Sequence, residues 1–130
     1  MLSLPASVRV FVARERVDFR KGIDGLYAVV RDHLREDALS GHLYLFFNRR
    51  RDRLKILVWD RNGFWLFLKR LECGTFERIE GTSDRVEIDR ARLAMLLDGI
   101  ATKNARMRQH FAREIRLMSR DGVERAGSSP

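Results

Sequence analysis

The sequence has few of the residues that disulfide-bonded or metal-binding domains use. Its 130 residues include one cysteine, Cys73, so an internal disulfide framework is excluded. The three histidines, His33, His42 and His110, are scattered, and no two have the i, i+4 spacing that would place two imidazoles around one metal ion. We therefore expect no structural zinc site and no bound metal.

Long apolar runs and phosphate-binding loops are missing as well. No stretch approaches the roughly 18 uninterrupted apolar residues of a membrane-spanning helix. Residues 1–5 lack the basic region and the apolar core of a signal peptide. The glycines of residues 21–25 lack the spacing of a nucleotide-binding loop. These absences predict a cytoplasmic protein with no membrane partner and no cofactor.

Charge on an ordinary hydrophobic background is what the chain does have. With 45% hydrophobic and 34% charged residues, the sequence is typical of a folded domain. A length of 130 residues supports one domain and excludes a multi-domain enzyme. Lys and Arg number 26 against 18 Asp and Glu, which gives a net charge of +8 and attraction to polyanions such as nucleic acid.

The excess positive charge lies in two short blocks. Residues 49–70 hold 8 basic and 2 acidic side chains, and residues 101–120 hold 6 basic and 1 acidic side chain. The blocks therefore carry net charges of +6 and +5, whereas the remaining segments together carry −3. This distribution favours a binding surface over general solubility, although arginine-rich turns and tails can also be simply solvated.

Hydrophobic periodicity predicts an α+β fold. Residues 8–12 predict a first strand, and apolar residues spaced by three and four along residues 23–34 predict an amphipathic helix with Asp18 as its N-cap. Residues 43–68 contain three apolar runs, and Asn62-Gly63 between the second and the third run predicts a hairpin because both residue types tolerate positive φ. Residues 75–79 are a candidate further short strand.

Both faces of the predicted strands are apolar, so one helix cannot cover the sheet. A later helix or a second subunit must cover the other face. Asp89 is placed to cap such a helix, and Gly99 is placed to end it. The apolar stripe of residues 103–120 predicts a further, basic amphipathic helix.

The predicted architecture is thus an antiparallel β-meander of about four to five strands packed by an N-terminal and a C-terminal helix. Residues 1–102 form this single α+β domain, residues 103–120 a basic helical arm and residues 121–130 a disordered tail. We favour an arm that projects from the domain, and the alternative is an arm docked on the sheet.

The sharpest functional signal is the basic turn at residues 48–53. A tight turn with four arginines presents planar, bidentate donors suited to phosphate oxygens or to the O6/N7 edge of guanine. Arg20 and Lys21 precede the first helix, where cations oppose the helix dipole unless an anion binds or Asp18 pairs with them. The candidate nucleic-acid contacts are Arg20, Lys21, Arg49, Arg50, Arg51, Arg53, Lys55, Arg61, Arg106, Arg108 and Arg113.

Catalysis and base stacking have weaker support. Asp52, Asp60 and Asp84 could converge on a divalent ion as in a metal-dependent nuclease, but turns are where Asp is common anyway. Trp59 and Trp65 could stack exposed bases, although aromatic residues of a hairpin usually belong to the core. We therefore assign no catalytic residue and expect the protein not to be an enzyme.

Several motifs in order resemble the small accessory protein, often named TnpB, of a large bacterial insertion-sequence family. That protein shares only its name with an RNA-guided nuclease. The resemblance extends over about residues 1–102. The motifs are DFRKGIDGL at residues 18–26, SGHLYLFFNRRRDRLKIL at residues 40–57, WDRNGF at residues 59–64, KRLE at residues 69–72 and LAMLLDGI at residues 93–100.

The resemblance implies a protein that is encoded beside a separate transposase and assists transposition, with no established catalytic residues. It also implies that Arg20, Lys21, Gly22 and the loop at residues 49–53 belong to the shared pattern. The chain departs from that pattern at residues 77–79, where family members often have a Trp-Pro pair. Many members also end near residue 110, so the last turns of the basic segment are expected to be either particular to this chain or the product of an altered reading frame.

Charge, pattern and resemblance together predict a non-catalytic accessory factor that assists DNA transposition by binding nucleic acid. Its expected partners are the DNA at the element's ends and the transposase of the same element. The alternative is a protein-interaction module that docks on the transposase without touching DNA. Whether the chain also forms a homo-oligomer stays open.

Overall fold

The structure, a computed structural model, describes residues 5–99. In chain order the elements are β1 (Val10–Ala13), α1 (Ile23–Val29), a π-helical turn (Val30–Leu34), β2 (Leu43–Phe47), β3 (Arg53–Asp60), β4 (Gly63–Arg70), β5 (Arg85–Ile88) and α2 (Arg90–Asp98). The strands form one sheet in the order β4-β3-β2-β1-β5. The predicted α+β class, the meander and the two packing helices are confirmed.

The sheet is mostly antiparallel, with one parallel pair. β2, β3 and β4 form the predicted meander, and β5 pairs antiparallel with β1. β1 and β2 run parallel, with Val10 opposite Leu43, because α1 and the π-helical turn cross over between them. The carboxyl ends of β1 and β2 therefore meet at one edge of the sheet.

Each face of the sheet has its own hydrophobic core. On one face α1 and the π-helical turn cover a cluster that includes Phe46 and Leu57. On the other face α2 covers a cluster that includes Phe47, and Phe76 and Ile79 pack into the same cluster. The second cover that the sequence required is thus supplied by α2 together with residues 71–80.

The candidate strand at residues 75–79 is a wrong prediction, because that segment has no regular secondary structure. Phe76 and Ile79 are both buried, a spacing of three that a strand would place on opposite faces. The backbone N–H of Phe76 donates to the carbonyl of Arg51 at 2.7 Å, which attaches the segment to the β2–β3 turn.

The two helix starts differ in how well they were predicted. Asp18 does not cap α1, whose N-cap is Gly22 without any side-chain hydrogen bond. Asp18 lies four residues too early and instead accepts the backbone N–H of Arg20 at 2.9 Å. Asp89 does cap α2, since its Oδ1 accepts the N–H of Arg92 at 2.8 Å, and Gly99 ends the helix with φ of 72°.

The predicted Asn-Gly hairpin forms, but its two loop residues are Arg61 and Asn62. Gly63 already belongs to β4, where it pairs with Asp60. The left-handed residue of the loop is Arg61, with φ of 50°. The hairpin is therefore displaced by one residue from the Asn-Gly pair that signals it.

Several predicted features lie outside the described residues. They are the basic helix at residues 103–120, the tail at residues 121–130 and the candidate contacts Arg106, Arg108 and Arg113. Within residues 5–99, no helix is long and apolar enough to cross a membrane.

Candidate nucleic-acid interface

The fold brings two basic segments to one edge of the sheet, where β1 and β2 end. The loop after β1 is attached to the end of β2, because the N–H of Val17 donates to the carbonyl of Phe47 at 3.1 Å. It is also attached to β3, since Lys55 Nζ donates to the carbonyls of Phe19 at 2.9 Å and Lys21 at 2.8 Å. We call the cations that surround this junction the basic edge: Arg20, Lys21, Arg49, Arg50, Arg53 and Arg70.

The β2–β3 turn is closed by the side chain of Asn48. Its Oδ1 accepts the N–H groups of Asp52 at 3.1 Å and Arg53 at 3.0 Å, and its Nδ2 donates to Asp52 Oδ1 at 2.7 Å. The hydrogen bond from Asn48 also lowers the pKa of Asp52. These bonds fix the turn without using any arginine side chain, so Arg49 and Arg50 stay at its tip.

Arg49, Arg50 and Arg53 are exposed, and none of them forms a salt bridge with another described residue. Arg53 lies directly opposite Arg70 in the β3–β4 ladder. Like charges in that position repel each other. Arg70 is compensated by Glu72, with Nη2 and Oε1 2.6 Å apart, whereas Arg53 keeps its full charge for an external anion.

Two of the predicted contacts, Arg51 and Lys55, are directed into the protein. The guanidinium carbon of Arg51 lies 4.2 Å from the centre of the Phe47 ring, and its Nη2 donates to the carbonyl of Glu77 at 2.9 Å. Burial, with a smaller contribution from Arg78, lowers the pKa of Arg51. Arg51 holds residues 71–80 against the turn, as Lys55 holds the loop after β1.

Arg20 is engaged by Asp18 in a bidentate pair. Arg20 Nη2 lies 2.6 Å from Asp18 Oδ2, and Arg20 Nε lies 3.1 Å from Oδ1. These side-chain hydrogen bonds lower the pKa of Asp18 to about 2. The compensating salt link is thus the alternative that the structure shows. Lys21, like Arg16 earlier in the loop, is an exposed cation that has no such partner among the described residues.

The lowered pKa of Asp18 predicts a pH-dependent contribution to stability. The carboxylate stabilises the fold fully above its unfolded pKa near 3.8, and the contribution is lost as the pH falls toward about 2. The difference in unfolding free energy between the native protein and Asp18→Asn should therefore be constant above about pH 5 and shrink between about pH 4 and 2. Urea denaturation over a pH series measures it, and a difference that persists unchanged at pH 2 would contradict the pairing.

The structure does not bring Arg61 to the basic edge. Arg61 is at the β3–β4 turn, and the eight residues of β3 separate that turn from Arg53 by about 23 Å. Its side chain lies beside Asp60, with Nε 3.6 Å from Oδ1. Arg70 is the cation of the edge that the sequence did not single out, because counting back from an Asn62-Gly63 turn places Glu72, and not Arg70, opposite Arg53.

The C-terminal end of α2 approaches the same edge. Lys69, the neighbour of Arg70, donates from Nζ to the carbonyl of Leu97. The last described residue is Gly99, two positions further along the chain. The basic block at residues 101–120 therefore follows directly from a point beside the basic edge.

The carboxylates that sequence offered as metal ligands are not grouped. Asp52 and Asp60 lie at the two ends of β3, and Asp84 directly precedes β5. Among residues 5–99 no group of three His, Cys, Asp or Glu side chains is placed to hold a metal ion.

Comparison with known proteins points to one family. Residues 8–107 match the family model described as IS66 Orf2 like protein. The uncharacterized protein y4jC of Sinorhizobium fredii is 40% identical over 76 residues, which cover 58% of this chain and 65% of that protein. The uncharacterized protein y4hO of the same organism is 35% identical over 100 residues, which cover 77% of this chain and 87% of that protein. No solved structure matches the chain.

Proposed function

Because the chain belongs to the family of IS66 Orf2-like proteins, we propose that it is a non-catalytic accessory factor that assists transposition by binding nucleic acid. The family supports the accessory role in insertion-sequence transposition. The observation that supports nucleic-acid binding is the convergence of Lys21 with Arg49, Arg50 and Arg53 at one edge of the sheet, without compensating salt bridges among the described residues.

The basic edge is suited to the sugar-phosphate backbone rather than to the bases. Arg49 and Arg50 project from a turn that Asn48 closes by hydrogen bonds, so their guanidinium groups can bind phosphate oxygens in a bidentate manner. Lys21 and Arg53 would bind neighbouring phosphates from the two elements that flank the turn. Contacts of this kind position a protein on nucleic acid and carry no sequence information by themselves.

The basic block at residues 101–120 would extend this contact. We retain Arg106, Arg108 and Arg113 as proposed phosphate ligands, because the chain passes Leu97 beside Lys69 on its way to them. We do not retain Lys55, Arg51 or Arg61, since the first two bind backbone carbonyls and the third lies at the opposite edge. We further propose that the protein acts in the cytoplasm, where it meets the element's DNA.

A salt series of DNA binding tests the proposal. Binding of the full chain to duplex DNA from the element's ends is measured by fluorescence anisotropy. The four uncompensated cations of the edge, Lys21, Arg49, Arg50 and Arg53, would release about 0.9 counterion each. The logarithm of the binding constant should therefore fall against the logarithm of salt concentration with a slope of about −4 or steeper. An affinity that does not change with salt would contradict direct phosphate contact.

The second candidate is docking on the transposase, with DNA held only by that partner. It is favoured by the apolar side chains that β4 exposes, Trp65 and Leu68. Capture of the transposase from nuclease-treated lysate, together with a purified chain that binds no DNA, would support docking. Salt-dependent DNA binding by the purified chain with no capture of the transposase would support the basic edge instead.

A further inference from the structure

β4 is the longest outer strand of the sheet, with eight residues. Its inner side pairs with β3, and no strand within residues 5–99 pairs with its outer side. The N–H of Leu71 donates to the carbonyl of Asp52 at 2.7 Å. Because successive residues of a strand direct their backbone groups to alternate sides, this bond shows that Leu71 and every second residue before it face β3. Phe64, Leu66 and Leu68 therefore direct their backbone N–H and C=O groups outward.

This outer side lacks the charges that usually protect an edge strand. Residues 63–68 of β4 carry no charged side chain. Lys69 is bound to the carbonyl of Leu97, and Arg70 is paired with Glu72. Trp65 is 54% exposed and Leu68 is 60% exposed, on opposite faces of the sheet. Long, uncharged, apolar edges of this kind are templates for pairing with another strand.

We propose that β4 pairs antiparallel with β4 of a second copy of this chain, around a two-fold axis that passes beside Leu66. Directly opposed residues of an antiparallel pair point to the same face of the sheet. Each face therefore continues across the two copies only when odd-numbered residues oppose odd-numbered ones and even-numbered residues oppose even-numbered ones. With Leu66 opposite its own copy, Trp65 lies opposite Phe67 and Phe64 lies opposite Leu68. The Trp65–Phe67 pairs are non-hydrogen-bonded positions, where side chains approach most closely and aromatic pairs stabilise the sheet.

Charge favours this register over those shifted toward the end of β4. In the register centred on Leu66, Lys69 lies opposite Gly63, and Arg70 lies opposite Asn62, so no cation faces a cation. A register centred on Arg70 would place two guanidinium groups directly opposite each other, which is destabilising. Trp65 also stacks on Phe67 within one chain, with 6.0 Å between ring centres. The Trp65–Phe67 pairs between the two copies would therefore extend this stack into a continuous row of aromatic rings.

Oligomeric state in the absence of nucleic acid tests the proposal independently of the proposed function. The full chain should sediment as a dimer. Trp65→Lys should weaken the dimer by about tenfold or more, because two aromatic pairs are lost and two charges enter the interface. Met95→Lys is the matched control, since Met95 is 45% exposed on α2 and away from β4, and it should leave the dimer unchanged.

The register is tested by cysteine substitution in a Cys73→Ser background. Leu66→Cys should form an intermolecular disulfide under mild oxidation, because two residues on the axis face each other at disulfide distance. Leu68→Cys, which faces Phe64, should not. A wild-type chain that stays monomeric, or a dimer weakened by Met95→Lys and not by Trp65→Lys, would overturn the proposal.

Discussion

Replacing Arg49, Arg50 and Arg53 together by alanine is expected to weaken binding to the element's terminal DNA by on the order of 10²–10³-fold near 0.1 M salt. Each phosphate contact releases about 0.9 counterion, so each contributes close to a factor of ten at that salt concentration. The slope of the salt dependence should also become shallower by about 2.7. Fluorescence anisotropy over a salt series measures both quantities in one experiment.

The control for this variant removes three exposed arginines that lie outside the basic edge. Arg31→Ala, Arg35→Gly and Arg61→Gly lower the net charge by the same amount. Glycine suits Arg35 and Arg61 because their φ angles are 54° and 50°, in the left-handed region. The control should keep the salt slope of the native protein within about one unit. An equal loss of affinity in both variants would show that total charge, and not the basic edge, governs binding.

Truncating the two adjacent phenylalanines of β2 is expected to cost about 3–5 kcal/mol each. Phe46 is fully buried on the face covered by α1, and Phe47 is fully buried on the face covered by α2 and residues 71–80. Since a domain of this size is stabilised by only about 5–15 kcal/mol, either change removes a large part of its stability. Urea denaturation of Phe46→Ala and Phe47→Ala measures the two costs separately.

Leu39→Ala is the matched control for these truncations. Leu39 is 46% exposed, so its loss should change the unfolding free energy by no more than about 0.5 kcal/mol. A cost below about 1 kcal/mol for Phe47→Ala alone would mean that α2 and residues 71–80 do not form a packed layer. The description of a packed hydrophobic core on each face of the sheet would then be wrong for that face.

The elements that could be predicted from the sequence are those whose signals are local. The meander, the stripe of α1 and the cap of α2 at Asp89 each depend on residues a few positions apart. β5 was missed because its four residues alternate charged and apolar side chains over too short a length. Its pairing with β1 joins Val10 to Ile88, a long-range contact that no local pattern records.

For the candidate site, the sequence identified a cluster of cations but not the direction of each side chain. Arg51 turns inward because its φ of 58° places it in the left-handed region, which the run of six polar residues at 48–53 does not reveal. Lys55 turns inward because the carbonyls of Phe19 and Lys21 lie within reach of its Nζ only in the folded chain. Arg70 was missed because β4 begins at Gly63 and not at Phe64, as an Asn62-Gly63 turn would require. This difference changes the residue opposite Arg53 from Glu72 to Arg70.

The interior position of β1, between β2 and β5, determines the order in which the domain can be completed during synthesis. β1 leaves the ribosome first, but one of its two neighbours is β5, and the pair of Arg9 with Glu87 spans 78 positions of sequence. Contacts of such separation close late, because the loop entropy must be overcome before they form. The β2–β4 meander can form while β1 is bordered only by β2, so the nascent chain keeps an unpaired edge until residue 88 has emerged.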